Sequence, residues 1–284
     1  MFKPEYLVIG HVTNDLYSEG QMIGGSVVYS ALTGYHLGYS VGIITSFGSD
    51  FSSNGILAGI HISNSKSYYT TTFCNIYKKG ERSQIIKQVA DPITVQQIPS
   101  SWKDAPIVHL CPVVKEVGEE IFYQFPNSLV CLTPQGLMRN WKEDGRVFAQ
   151  KWMPSKDLLS RIDIIIFSEE DIKLFPEVVD YYRSVVKIVI LTCGKNGAIL
   201  FFKNKEYYFP AVPVEEKDPT GAGDVFAAAF TIKYFETKNC TAATRFANYI
   251  ASFAVTEKGT KGIPKIGLRC RLRKGNEQVY VKKD

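Results

Sequence analysis

Two acids and two glycines fall within seven residues, Asp218-Pro219-Thr220-Gly221-Ala222-Gly223-Asp224, and the apolar run Val225-Phe226-Ala227-Ala228-Ala229-Phe230 follows at once. Proline and glycine punctuate the first half, which reads as a turn. The alanine-rich second half is a good buried helix. A Gly-Ala-Gly turn that opens a helix leaves first-turn N–H groups without intrahelical acceptors, and the helix dipole adds positive potential there. Such a terminus suits a phosphate. Asp224 stands at the same end, where its carboxylate can take a proton from a hydroxyl. An ordinary loop with an Asp N-cap would also account for that acid. The whole string is much rarer than a cap, and the chemical reading is preferred.

The string resembles the Asp-Thr-x-Gly-Ala-Gly-Asp signature of the ribokinase-like (PfkB-type) carbohydrate kinases, with Pro219 in the second position. The resemblance implies that Gly221, Ala222 and Gly223 form the anion hole for the transferring phosphoryl group and that Asp224 is the base. Phosphoryl transfer needs mainly positioning and charge stabilisation, so this small apparatus is chemically sufficient.

The resemblance covers about residues 5–265 and implies further roles. Asp15 would hydrogen-bond substrate hydroxyls, with Thr13 where the family has Asn; by itself such an acid can simply form a turn. Gly24-Gly25 would let backbone approach a sugar. Tyr29 stands where the family has a substrate-touching Asn, which implies a substrate other than ribose. Thr133-Pro134-Gln135-Gly136-Leu137-Met138-Arg139 is similar to a segment of inositol kinase-like members. Gln135 and Arg139 are multi-donor groups suited to a polyol or phosphate, although a turn with a surface Arg fits equally.

Ser168 and Asp171 are the counterparts of an Asn-x-x-Glu that organises Mg²⁺ through water, and Glu170 could serve instead. The same stretch also reads as a helix start, with Ser168 as cap and acids in the first turn. Thr192-Cys193-Gly194-Lys195-Asn196-Gly197 lacks the Walker spacing and taken alone is a hairpin turn. The resemblance places Thr192, Gly194 and Gly197 near nucleotide phosphates, and Asn248 and Gly259 near the adenine pocket.

These residues need a frame. Tyr6–Gly10 is a short apolar strand, Ser26–Gly38 a helix and Val41–Thr45 the next strand, which begins a parallel sheet. Ile107–Leu110, Ser128–Leu132, Ile162–Phe167 and Ile188–Thr192 are continuous apolar runs of the kind found in parallel strands covered on both faces. Ala198–Phe202 follows. Helices are expected over 116–125, 169–184, 225–236 and 241–257. Residues 68–90 break the rhythm with a Thr/Tyr-rich hairpin around Lys78–Glu81. The expected fold is α/β: ribokinase-like, doubly wound, with a mainly parallel sheet, helices on both faces and a small β lid. One kinase domain over 1–265, with lid strands near 11–22 and 68–90, would precede a basic tail over 266–284.

The chain has 284 residues, 45% hydrophobic and 21% charged, with a net charge of +5. These are globular values. Residues 266–284 carry six basic against two acidic residues, so the main body is nearly neutral. That argues against a broad nucleic-acid surface. The six cysteines at 74, 111, 131, 193, 240 and 270 form no Cys-x-x-Cys pair and read as reduced, buried thiols. His109-Leu110-Cys111 has no second cluster to complete a zinc site. No apolar run reaches membrane-spanning length and no signal peptide pattern is present, so a soluble cytoplasmic protein is expected.

The function expected is an ATP- and Mg²⁺-dependent kinase acting on a hydroxyl of a sugar or cyclic polyol. There is room for a monovalent cation, and the lid edge could pair two subunits into a homodimer. A nucleoside kinase, or a relative that binds nucleotide or sugar without turnover, are the alternatives.

Overall fold

The computed structural model describes residues 2–78 and 81–265. The basic tail 266–284, with Cys270, lies outside the described residues.

Six apolar segments form the parallel centre of one large sheet. They are β1 (Tyr6–Ile9), β4 (Val41–Phe47), β8 (Ile107–Leu110), β9 (Leu129–Leu132), β12 (Ile164–Ser168) and β13 (Ile188–Thr192). Neighbouring positions along a strand face opposite ways. Tyr6 and Val8 therefore enter one core, with residues of α1 (Ser26–His36), α6 (Ala222–Thr237) and α7 (Cys240–Ala254). Leu7 and Ile9 enter the other, with residues of α2 (Glu119–Phe122), α3 (Lys156–Leu159), α4 (Glu169–Ile172) and α5 (Val178–Arg183). Both faces being covered is why these strands show no polar alternation.

Edge strands complete the sheet. β5 (His61–Lys66) runs parallel to β4, while β14 (Ala198–Phe202) and β15 (Lys205–Phe209) close the far side antiparallel. The order across nine strands is β15-β14-β13-β12-β9-β8-β1-β4-β5. The doubly wound α/β fold expected from the sequence is present.

A second sheet stands apart from the first. Its strands are β2 (Thr13–Tyr17), β3 (Gly20–Gly24), β6 (Thr71–Lys78) and β7 (Glu81–Gln88), in the order β3-β2-β6-β7. β2 and β6 pair in parallel although Thr13 opposes Thr71. Phe73 and Ile86 seat this sheet on Val113 and Val114, with Trp141 and Val147 of a small hairpin, β10 (Arg139–Trp141) and β11 (Val147–Ala149), packed alongside.

Two helices are shorter than the sequence suggests. Only Glu119–Phe122 is helical within 116–125. The stretch 169–184 is divided into α4 and α5, with Pro176 between them; proline disfavours a helical residue before it. Among the described residues no helix is long and apolar enough to cross a membrane.

Candidate active site

The anion turn is built by Asp218. Its Oδ1 accepts the N–H of Thr220 at 3.0 Å, and its Oδ2 accepts the N–H of Gly259 at 2.8 Å. One carboxylate thereby closes the turn on itself and ties it to the loop after α7. Gly221 caps α6 with φ of 78°, a left-handed conformation that suits glycine. Ala222 donates its N–H back to the Pro219 carbonyl at 3.2 Å, while helix geometry leaves the following first-turn amides of α6 without intrahelical acceptors. A Cβ added to Gly223 would meet nothing within 4 Å. Open space thus lies over the helix N-terminus, at a half-buried Asp224. The Ser30 hydroxyl donates to the Asp224 carbonyl at 3.4 Å.

Asp15 is not at a strand end of the large sheet but within β2 of the small one, 7% exposed, where it accepts the Thr13 hydroxyl at 2.8 Å. Register puts it beside Met22 of β3 and Phe73 of β6. The glycine pair beside it is explained by the chain itself. A Cβ on Gly24 would strike Asp15 Oδ2 at 2.4 Å, and one on Gly25 would strike the His11 carbonyl at 2.4 Å. These glycines let Asp15 and the backbone pack closely. The same register aligns Asn75 and Gln84 on the face that carries Asp15, and Gln84 Nε2 donates to Asn75 Oδ1 at 2.9 Å. Sequence reasoning missed this pair; the alternation of β6 and β7 was its only signal.

Gln135 and the metal candidate Asp171 meet. Gln135 Nε2 donates to Asp171 Oδ1 at 3.3 Å. Asp171 Oδ2 accepts both the N–H and the hydroxyl of Ser168, at 3.0 and 2.8 Å, in a capping box that starts α4. The helix-start reading of this stretch is what the geometry shows. Among the described residues no cluster of three or more His, Cys, Asp or Glu could hold a metal ion. Asp171 keeps lone pairs for a metal-bound water, and Glu170 is exposed next to it. The donor set fits an outer-shell role towards Mg²⁺ and no inner cage. Arg139 begins β10.

Thr192 ends β13 in register with Ser168, so both lie at the carboxyl edge of the parallel strands. This is the edge at which open α/β sheets bind ligands. Gly194 opens the turn to β14, and Cβ atoms there would meet nothing. Gly197, at φ of 100°, instead packs on Phe209 and Ala211, where a Cβ would lie 2.0 Å from the Phe209 carbonyl. Asn248 serves the same junction. Its amide donates to the Phe209 and Pro210 carbonyls at 3.2 and 3.1 Å. Its NH₂ is therefore engaged in holding the exit of β15. Gly259, at φ of 60°, is held by Asp218 and lies near Met22.

Behind the site runs a buried polar chain. The Tyr6 hydroxyl and His109 Nδ1 share a hydrogen bond of 2.7 Å, and Nε2 faces the Thr133 hydroxyl at 3.3 Å. Burial pushes the His109 imidazolium down to about 3, so the ring is neutral and structural. Burial likewise pushes the Cys131 thiol up to about 12 and Cys111 well up. These thiols are inert, in accord with reduced, buried cysteines.

Residues 134–266 match the model of the pfkB family carbohydrate kinases. That segment holds the anion turn, Asp171 and the 192–197 turn; β2, β3, β6, β7 and Asp15 lie outside it. The chain is 24% identical over 258 residues to the cytidine kinase of Thermococcus kodakarensis, covering 81% of this chain and 88% of that one. It is 26% identical over 253 residues to the ribokinase of Bacillus subtilis, covering 84% and 83%. Among solved structures, a pyrophosphate-dependent kinase in the ribokinase family, complexed with a pyrophosphate analog and myo-inositol, superposes with a TM-score of 0.77 at 23% identity, covering 88% and 94%. Arabidopsis thaliana ribokinase complexed with ribose and ATP gives 0.71 at 22% identity, covering 93% and 97%.

Proposed function

We propose that this chain, a PfkB-type protein of ribokinase-like fold, transfers the terminal phosphoryl group of ATP to a hydroxyl of a sugar or cyclic polyol. The observation that carries the reading is the open space over Gly223 at the N-terminus of α6, with Asp224 in the same first turn. A terminus that only bound anions would gain nothing from a carboxylate there, since it opposes the bound charge. A base beside a phosphate site is what hydroxyl phosphorylation needs.

The acceptor lies between the small sheet and the anion turn, oriented by Asp15, Gln135 and Arg139. Its hydroxyl gives its proton to Asp224 as its oxygen bonds to the terminal phosphorus. The bond from that phosphorus to the bridging oxygen breaks, and its electrons leave with the diphosphate. The amides of Gly223 and Asp224 stabilise the charge on the transferring group. The 192–197 turn, at the same sheet edge, supports the rest of the donor. Bound Mg²⁺ would neutralise donor phosphates, with Asp171 and Glu170 holding its water shell. The small sheet acts as a lid that excludes water from the transfer. For pairing of two subunits, β3 is the lid edge that remains, because β7 meets Gly145 and Arg146 on its outer side.

A nucleoside acceptor is the second reading, favoured by the similarity to a cytidine kinase along most of the chain. A screen of sugars, inositols and nucleosides, with ATP and pyrophosphate as separate donors and phosphorylated product read by mass spectrometry, decides between them. Donor and acceptor binding without any product would instead make the chain a non-catalytic relative.

A further inference from the structure

Gly221 has no room for a side chain, and what fills that room is Tyr29. A Cβ on Gly221 would lie 2.2 Å from Tyr29 Cδ1 and 2.3 Å from Cε1. The ring projects from α1, in which residues 26–34 are all buried, and is itself 3% exposed. Its oxygen points to the loop after α7, where a Cβ on Gly259 would be 3.9 Å away. The N–H of that same Gly259 is held by Asp218, the first residue of the anion turn. One ring therefore lies under the middle of the turn and beside the loop that anchors its start. Asp15, Tyr17, Asp218 and Asp224 surround the phenol, and burial first, then those charges, push its ionisation up. Tyr29 is a neutral wedge next to a site for anions.

A ring this buried offers an acceptor almost no surface, so the pocket-wall role implied by its place in the sequence does not suit it. We propose that Tyr29 is a positioning residue: its ring is the seat on which Gly221 rests, and this seat aims the first-turn amides of α6 and the Asp224 carboxylate at one point. The idea rests on the kinase reading of the anion turn.

Tyr29→Phe keeps the ring and is expected to hold kcat within about twofold of wild type. Tyr29→Ala, or Tyr29→Leu should the alanine variant fail to fold by circular dichroism, is expected to lose about 100-fold in kcat while KM for donor and acceptor stays within about threefold. Gly221→Ala is expected to be nearly inactive, through both the clash and the left-handed backbone. Removing the ring relieves the clash, so the double variant is expected to lose far less than the product of the two single losses. Wild-type kcat with a raised acceptor KM in Tyr29→Ala would make the residue a pocket wall. Multiplicative losses in the double variant would separate the ring from the turn. Either result overturns the proposal.

A second measurement does not need turnover. Amide ¹⁵N shifts of Ala222, Gly223 and Asp224 are followed during titration with inorganic phosphate. Wild type and Tyr29→Phe are expected to share one affinity, with Tyr29→Ala at least tenfold weaker. Equal affinity in all three, or no shift in wild type, also overturns the proposal. If wild type phosphorylates no acceptor, the kinase reading fails, and the titration still decides the role of Tyr29.

Discussion

Asp224 and Gly223 share one helix turn but answer to opposite tests. Asp224→Asn keeps size and hydrogen bonding while removing the proton acceptor. It is expected to lower kcat by ~10²–10⁴, the usual range for a positioned general base, with ATP affinity within about threefold. Turnover within a few-fold of wild type would remove Asp224 from the base role. Gly223→Ala places a methyl group where nothing beyond its own helix backbone and chain neighbours lies within 4 Å. Alanine is the better helix former, so melting temperature is expected to hold or rise while activity falls at least tenfold. Activity and stability rising together would mean that nothing binds over that glycine. The motif at 218–224 was legible because proline, glycine and helix former follow one another in a single short string. Its neighbours were less so, because a residue's type does not say what will lie against it. Gly24 and Gly25 read as room for a ligand, and each is also required by a neighbour, Asp15 Oδ2 and the His11 carbonyl. Asn248 reads as a nucleotide contact, yet its amide holds the exit of β15.

At the level of elements, the four-stranded sheet is the lid of the proposed function. It rests on the body through Phe73, Ile86, Val113 and Val114, a small cluster beside the two large cores. Its far turn is joined to the loop after α7 by an ion pair between Glu19 and Lys258, both exposed. With donor and acceptor present, amide exchange is expected to slow across 13–24 and 71–76. Unchanged protection there would make the sheet static scaffold. Exposed ion pairs contribute little, so Lys258→Ala is expected to speed exchange only at 17–22, by a few-fold, and to leave β6 unaltered. Elements were legible where burial left one kind of residue. The central strands are unbroken apolar runs for that reason. β5, His61–Lys66, and β15, Lys205–Phe209, were not read as strands, since edges mix polar and apolar side chains and lose the signal. The 169–184 stretch reads as one helix because its apolar spacing outlasts Pro176, which the backbone does not tolerate.

For the molecule as a whole, stability is tied to pH by groups buried far from the surface. His109 is neutral in the native state, with its ionisation held down to about 3 by burial, against 6.5 for a free imidazole. Between those values the unfolded chain binds a proton that the native chain refuses. Its contribution is complete above pH 6.5 and is lost as pH falls towards 3, by about 1.4 kcal/mol per pH unit. His11, held down by burial as well, acts in the same direction. Urea titrations from pH 7 to 4 are expected to show a slope smaller by about one proton in a folded His109→Gln variant; an identical slope would mean that His109 is protonated in the native state. The parallel pairing of β2 with β6 bears on how such a chain comes together. Thr13 must find Thr71, and between them run α1, β4 and β5. Closing so long a loop is entropically unfavourable until intervening segments have settled. The small sheet is therefore expected to be completed late in folding, and a chain emerging from the ribosome carries β2 and β3 as a hairpin without its partner until β6 has been synthesised. During that interval the unpaired edges of this hairpin are open to mispairing with another nascent copy.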